Sequence, residues 1–393
     1  MDSPLDLLTP ELRALLASAR SVDRNAALQG ALAQPIDWDR LVAYADRERA
    51  TPTLWQAISA LEDYEPPAEA GVLQNVAMIT EFRMFHLEQY LKKSLAHLDS
   101  LGIETLLLKG AGLGLTHYSS YADRPMVDLD ILVKPTDARR AWEAMRTQGW
   151  TWEGSESLEA VYDHTHHHLP PLVEPAGTAT ALEVHTGLHP RSAPILMPAE
   201  RVWERARVIQ VGAVATRVPC PVDQVIHLCT HFAWSHMMVS AGWRTFRDLD
   251  RVLRQDPLPV DEMVDEAARA RATSCCYWTL RLARDLVGVP VADDLLAALR
   301  PPGLRGVERM LERAYTLSMM PDPELVCPSV SARRLAWTVG IRPRWSGHGR
   351  VRPWEFSDLF AVTAVEPASP SRLLHQWKAL PHWRRFLGRV LAS

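Results

Sequence analysis

The chain has 393 residues, 47% apolar and 23% charged, a composition typical of a folded globular protein and a length beyond the usual limit of one hydrophobic core. Its net charge of −4 gives no global attraction to nucleic acid or to an anionic membrane. The five cysteines include no CxxC pair, which argues against a structural zinc site or a disulfide framework.

The start, Met1-Asp2-Ser3-Pro4, has no basic segment followed by an apolar one, and no apolar run approaches membrane-spanning length. The cytoplasm is therefore the expected location. Residues 1–100 read as helical. Thr9-Pro10-Glu11 is a helix start, Asp37 opens a second helix and Thr51-Pro52-Thr53 a third. After the Pro66-Pro67 loop, a long amphipathic helix is expected from Gln74 to Asp99, with Met78, Phe82, Phe85, Leu87, Leu91 and Leu95 on its apolar faces and Gly102 as its stop.

At Ile103 the period changes. Ile103–Leu108 reads as a buried strand, Gly110-Ala111-Gly112 as a turn into a short helix, and Tyr121–Arg124 as a polar loop. Pro125–Val133 is a second strand, followed by a helix over Asp137–Thr147. Two more strands, His164–Val173 and Thr180–Leu188, form a hairpin about Pro175-Ala176-Gly177, and Val208–Val218 adds one edge strand. Helices return from Pro221 to Ser318. Residues 331–393 then hold eleven Lys or Arg against three acids (Glu355, Asp358, Glu366), with a basic amphipathic helix expected from His375 to Val390.

The chemistry concentrates in Leu106-Leu107-Leu108-Lys109-Gly110, Arg124 and Val127-Asp128-Leu129-Asp130-Ile131-Leu132-Val133. Strand alternation points Asp128 and Asp130 the same way. Two carboxylates on a buried strand repel each other, and a divalent cation between them removes the conflict; oxygen ligands of this kind suit magnesium. Lys109 is one of only five lysines. Bland alternatives exist for each residue. The aspartates could be solvated, Lys109 could snorkel, Arg124 could pair with Asp123 or Asp128, and Glu183 could face solvent. His164, His166 and His168 share a strand face opposite His185 and His189, and His227 and His231 share a helix face. Such imidazoles hold a transition metal, line a pocket or form a plain polar face. The GxxxxGK[ST], GxSxG, HExxH and HRDxxxxN motifs are absent.

The order Leu-Leu-Lys-Gly, Arg124, Asp-Leu-Asp-Ile-Leu-Val, with His168-Leu169-Pro170-Pro171, Leu182-Glu183-Val184-His185 and the stretch from Asp223 through His231 to Asp248, resembles a bacterial nucleotidyltransferase-like family. That family, labelled uncharacterised nucleotidyltransferase, belongs to the polymerase-beta-type superfamily. The resemblance implies an α+β fold, with a small polymerase-beta-type sheet core over 101–218. Helical regions flank it at 1–100 and 219–320, followed by a basic, Trp/Pro-rich region at 321–393. It assigns Asp128 and Asp130 to a metal and brings Glu183 alongside as the third acid, so that these three are the expected catalytic and metal residues. Lys109-Gly110 replaces the superfamily's usual Gly-Ser pair. Lys109, Gly110 and Arg124 are the expected nucleotide contacts, and His168 and His185 are candidates for an acceptor pocket.

The implied activity is transfer of a nucleoside monophosphate from an NTP, ATP by preference, with Mg2+ or Mn2+, to an unidentified small-molecule or peptide acceptor in natural-product or peptide modification. The competing class is a catalytically inactive member of the fold that binds a peptide or protein. Neither a strong nucleic-acid signal nor a transmembrane segment accompanies either reading.

Overall fold

The computed structural model describes residues 3–155, 159, 162, 166–174, 180–302, 304, 306–319 and 336–341. Local capping sets the first helices. The Thr9 hydroxyl accepts from the Leu12 N–H at the start of α1 (Pro10–Ser18), and Asp37 accepts from Arg40 N–H at the start of α3 (Trp38–Glu48). Between them lies α2 (Arg24–Leu32), and α4 (Thr51–Ser59) follows. The long helix α5 (Gly71–Ser100) buries Met84, Leu87, Leu91, Leu95 and Leu98, spaced by three or four residues as one stripe. Of the expected apolar positions, Met78, Phe82 and Phe85 are instead 63%, 64% and 59% exposed. The first half of α5 lies against α4 and buries Leu73 and Ala77, which leaves that stripe outside.

The chain then forms a mixed six-stranded sheet of order β3-β4-β2-β1-β6-β5. Its strands are β1 (Leu106–Leu107), β2 (Asp128–Leu132), β3 (Leu172–Val173), β4 (Ala181–His185), β5 (Arg207–Val211) and β6 (Val214–Val218). β1 is shorter than the apolar run that predicts it, because α6 (Lys109–Thr116) begins directly beyond it. The Tyr121–Asp123 loop is a 3-10 turn, and α7 (Ala138–Thr147) occupies the expected place. Where one edge strand is expected over Val208–Val218 there are two, turned at Gly212 with φ +63°. β6 pairs with β1, so β5 forms the edge.

Alternation sorts the two faces. Leu129, Ile131, Val133, Leu182 and Val184 pack with the apolar stripe of α5 and with Ala141, Trp142 and Met145 of α7. The opposite face of β2 and β4 carries Asp128, Asp130, Glu183 and His185. Helices at both ends of the described chain share another core, which joins Leu12, Leu15 and Leu54 to Phe232, Trp243, Phe246 and Trp278. The Trp243 indole donates to the Leu15 carbonyl at 2.9 Å. This helical mass stands over the acidic face of the sheet. The architecture is thus α+β, a sheet core flanked by helices.

Trp337, from the basic region, is buried and donates to the Ala233 carbonyl at 2.6 Å. The other expected features of that region, including the His375–Val390 helix, lie outside the described residues, as do His164 and the Pro175-Ala176-Gly177 turn. β3 and β4 nevertheless pair antiparallel, as a hairpin requires. Of the expected His164–Val173 strand, described pairing covers Leu172–Val173 and a bridge between His168 and His185.

Candidate active site

Parallel pairing of β2 with β4 places Asp130 directly beside Glu183, with Asp128 beside Ala181 and Leu132 beside His185. Register partners in a sheet share a face, so three acids and one imidazole converge from two short strands. Single ligand atoms of Asp130, Glu183 and His185 lie within 4.8 Å of one another, close enough for one metal ion. Asp128 lines the same cavity but falls outside that tightest group. His185, a candidate for an acceptor pocket, lies against these acids.

Lys109 Nζ donates to Asp130 Oδ1 at 2.8 Å, and His185 Nε2 approaches the same oxygen at 2.8 Å and Glu183 Oε2 at 3.2 Å. Burial opposes ionisation of Asp130, but Lys109 and His185 hold its carboxyl well below the usual range. Burial would lower the Lys109 ammonium and the His185 imidazolium, yet the neighbouring acids raise both. Burial also opposes ionisation of Glu183, which His185 outweighs, whereas burial and the charge of Asp130 raise Asp128. The Lys109 ammonium and the raised proton affinity of His185 offset the acid charge.

Lys109 reaches this position with a left-handed backbone, φ +45°, at the mouth of α6. Such a conformation is costly for a residue with a side chain and is characteristic of functional sites. Gly110 also lines the cavity. A Cβ there would meet the Arg124 guanidinium at 2.9 Å, so the glycine makes room for that arginine. Arg124 is buried and bound by Asp248, with Nε to Oδ1 at 2.9 Å and Nη2 to Oδ2 at 2.8 Å. Neither of its sequence-adjacent candidates, Asp123 and Asp128, is its ion-pair partner.

The cavity, about 320 Å³, is closed by helical residues that strand patterns do not reveal: Arg49, His231, Ser235, His236, Arg244 and Asp248. His227 projects into it from the Pro221–Thr230 helix, fully buried, with neither ring nitrogen paired among the described residues. Burial keeps it neutral, together with His231, and lowers His189 and His236 to about 4. Among the described residues no three of these imidazoles bring their nitrogens within 4.8 Å, so the histidine run lines a pocket without forming a metal cage. His168 packs against His167 and His185, with ring centroids 5.0 and 5.2 Å away.

A family model described as uncharacterised nucleotidyltransferase matches residues 34–288, nearly two thirds of the chain. The protein belongs to that family. No curated protein and no solved structure matches the chain. The matched span runs from the start of α3 to the end of the Thr273–Val287 helix, so it holds the acid strands, Lys109 and the helical wall of the cavity. Membership places the chain among nucleotidyltransferases in the general sense of that name. Among the described residues no helix is long and apolar enough to cross a membrane.

Proposed function

We propose that this nucleotidyltransferase moves a nucleoside monophosphate from an NTP, ATP first among candidates, to a hydroxyl or phosphate oxygen of a small-molecule or peptide acceptor. The observation that carries the reading is the pairing of Asp130 with Glu183 on adjacent parallel strands, two residues from Asp128 and in contact with Lys109. The donor set fits a divalent cation: two carboxylates and an imidazole already converge, and a third carboxylate lies two residues away on the same strand face. Mg2+ or Mn2+ held by Asp130 and Glu183, with Asp128 and the His185 nitrogen at hand, would neutralise phosphate charge and polarise the acceptor oxygen.

The chain's own groups do the rest. Lys109 supplies a positive charge beside the acids, and Arg124, clamped by Asp248, holds the adjoining wall in place. The acceptor oxygen forms a bond to the α-phosphorus as the bond to the bridging oxygen breaks. Pyrophosphate leaves, and the acceptor proton passes to a carboxylate of the trio. Glu183, held low by His185, suits ligation, while Asp128 has the raised proton affinity. His227 and His168, both neutral, offer hydrogen bonds to the acceptor or the base.

The test is pyrophosphate release from ATP, magnesium and a panel of hydroxyl-bearing metabolites and peptides, run beside Asp130→Asn. Release by the wild type alone supports transfer. Heat stabilisation by ATP and magnesium with no release for any acceptor supports the alternative of an inactive binding protein.

A further inference from the structure

Two arginines of the cavity stand apart from the hydrogen bonds of the acid cluster among the described residues. Arg49 ends α3, and Arg244 stands in the first turn of the Gly242–Gln255 helix. Both line the same cavity as Asp128, Asp130 and Glu183, and neither makes a side-chain hydrogen bond or ion pair among the described residues. Of the acids that bear on Arg244, Asp248 is taken by Arg124, and Glu48 is fully buried, 3.6 Å from Arg47, with burial raising its proton affinity against the pull of Arg47 and Arg244.

Each arginine is held against local preference. Arg49 has φ +57°, the left-handed helix-ending position that favours glycine, with its backbone N–H on the Ala45 and Asp46 carbonyls. A cation in the first turn of a helix opposes the helix dipole. Burial first, and then the charges of Arg124 and Arg49, lower Arg244 to about 10 against the pull of Glu48 and Asp248. Ala241, just before Arg244, also lines the cavity with φ +64°. Two separate helical segments thus bring unpaired cations to a wall facing the acids.

We propose that Arg49 and Arg244 form an anion subsite that holds the β- and γ-phosphates of the nucleotide. This deepens the nucleotidyltransferase reading and rests on it for the identity of the anion. Guanidinium groups suit phosphate oxygens because their donors are planar and permanently charged. Their approach to Asp128, whose carboxyl Arg49 helps to stabilise, places this wall beside the acids. Arg124 and Lys109 each have an internal carboxylate, so Arg49 and Arg244 are the cavity cations with charge to spare.

Calorimetric titration of the full chain with inorganic tripolyphosphate in EDTA tests the subsite without metal or turnover. Arg244→Gln is expected to weaken binding roughly ten- to a hundredfold, and Arg244→Lys to recover part of it. Arg49→Gly relieves the backbone conformation while removing the charge, so it should melt no lower than wild type and yet bind tripolyphosphate roughly tenfold or more weakly. Unchanged affinity in the two charge-removing variants, or no binding by the wild type, overturns the proposal. A parallel titration with glycerol phosphate separates the two sources of phosphate. If the arginines matter only for this monoester, the subsite belongs to a phosphorylated acceptor, and the assignment to the nucleotide is wrong. If tripolyphosphate binding depends on both arginines but no transfer is found, the subsite stands and the catalytic reading fails.

Discussion

Asp130 Oδ1 meets both Lys109 Nζ and His185 Nε2, each at 2.8 Å, so one oxygen ties the cluster together. Asp128 has no hydrogen bond of this kind among the described residues; burial and the charge of Asp130 raise its proton affinity, against the weaker pull of Lys109 and Arg49. Asp128→Asn is therefore expected to melt at or slightly above the wild-type temperature. Its pyrophosphate release should fall roughly a hundred- to a thousandfold or more. Undiminished turnover would remove Asp128 from the catalytic set. Lys109→Ala should behave in the opposite sense for stability. Breaking a buried pair leaves its partner uncompensated and typically costs on the order of 3–5 kcal/mol, reduced here because His185 remains. Urea denaturation of Lys109→Ala, Asp130→Asn and the double variant gives the coupling directly. The double variant should recover much of the loss, and strict additivity would show that the pair contributes little to folding.

Between elements, the decisive contact is the Arg124–Asp248 fork, which ties the turn after α6 to the Gly242–Gln255 helix across 124 positions of sequence. Tyr118 adds a hydrogen bond to Asp248 Oδ1 at 2.7 Å, and Arg247 donates to the Asp123 carbonyl. The sheet core is thereby locked to the helical wall that completes the cavity. Removing one partner leaves a buried charge, so Arg124→Ala should lose on the order of 3–5 kcal/mol in urea denaturation. Arg124→Ala with Asp248→Ala should lose less than the two single effects summed. A normal melting curve for Arg124→Ala would instead make its contribution one of substrate binding alone.

Across the whole molecule, the buried histidines set the acid limit of stability. Burial lowers His189 and His236 to about 4, and holds His227 and His231 well below the usual imidazole value. An unfolded imidazole takes up its proton near pH 6.5, as these four cannot while folded. Their neutral form therefore stabilises the fold above that pH, and the contribution is lost as pH falls from about 6.5 towards 4. Each such group contributes up to about 1.4 kcal/mol per pH unit. His185 acts oppositely: its raised value adds stability below about 6.5 that fades as pH rises through the folded value. Four groups outweigh one, so calorimetry at a series of pH values should show the melting temperature falling steeply below 6.5. His236→Gln should make that fall shallower. A flat profile would mean that these rings are solvated.

Much of the site could be read from the chain because strand alternation is a local property. It placed Asp128 and Asp130 on one face, put Glu183 on a strand able to lie beside them, and left Lys109 at the end of an apolar run. The apolar positions Leu87, Leu91 and Leu95 of α5 were legible for the same reason, whereas the exposure of Met78, Phe82 and Phe85 depended on how the first half of the helix packs on α4. Pairing across the fold has no such local signal. Arg124 could choose among nearby acids in the sequence, and only the docking of the Gly242–Gln255 helix selected Asp248. Likewise, the turn at Gly212 made two strands of one expected edge, and the approach of α3 to the acidic face brought in Arg49. His185 entered the tight ligand group because its strand register points it at Asp130. Periodicity fixes which way a side chain points along its own element; which charge it meets is decided by the surfaces that packing brings together.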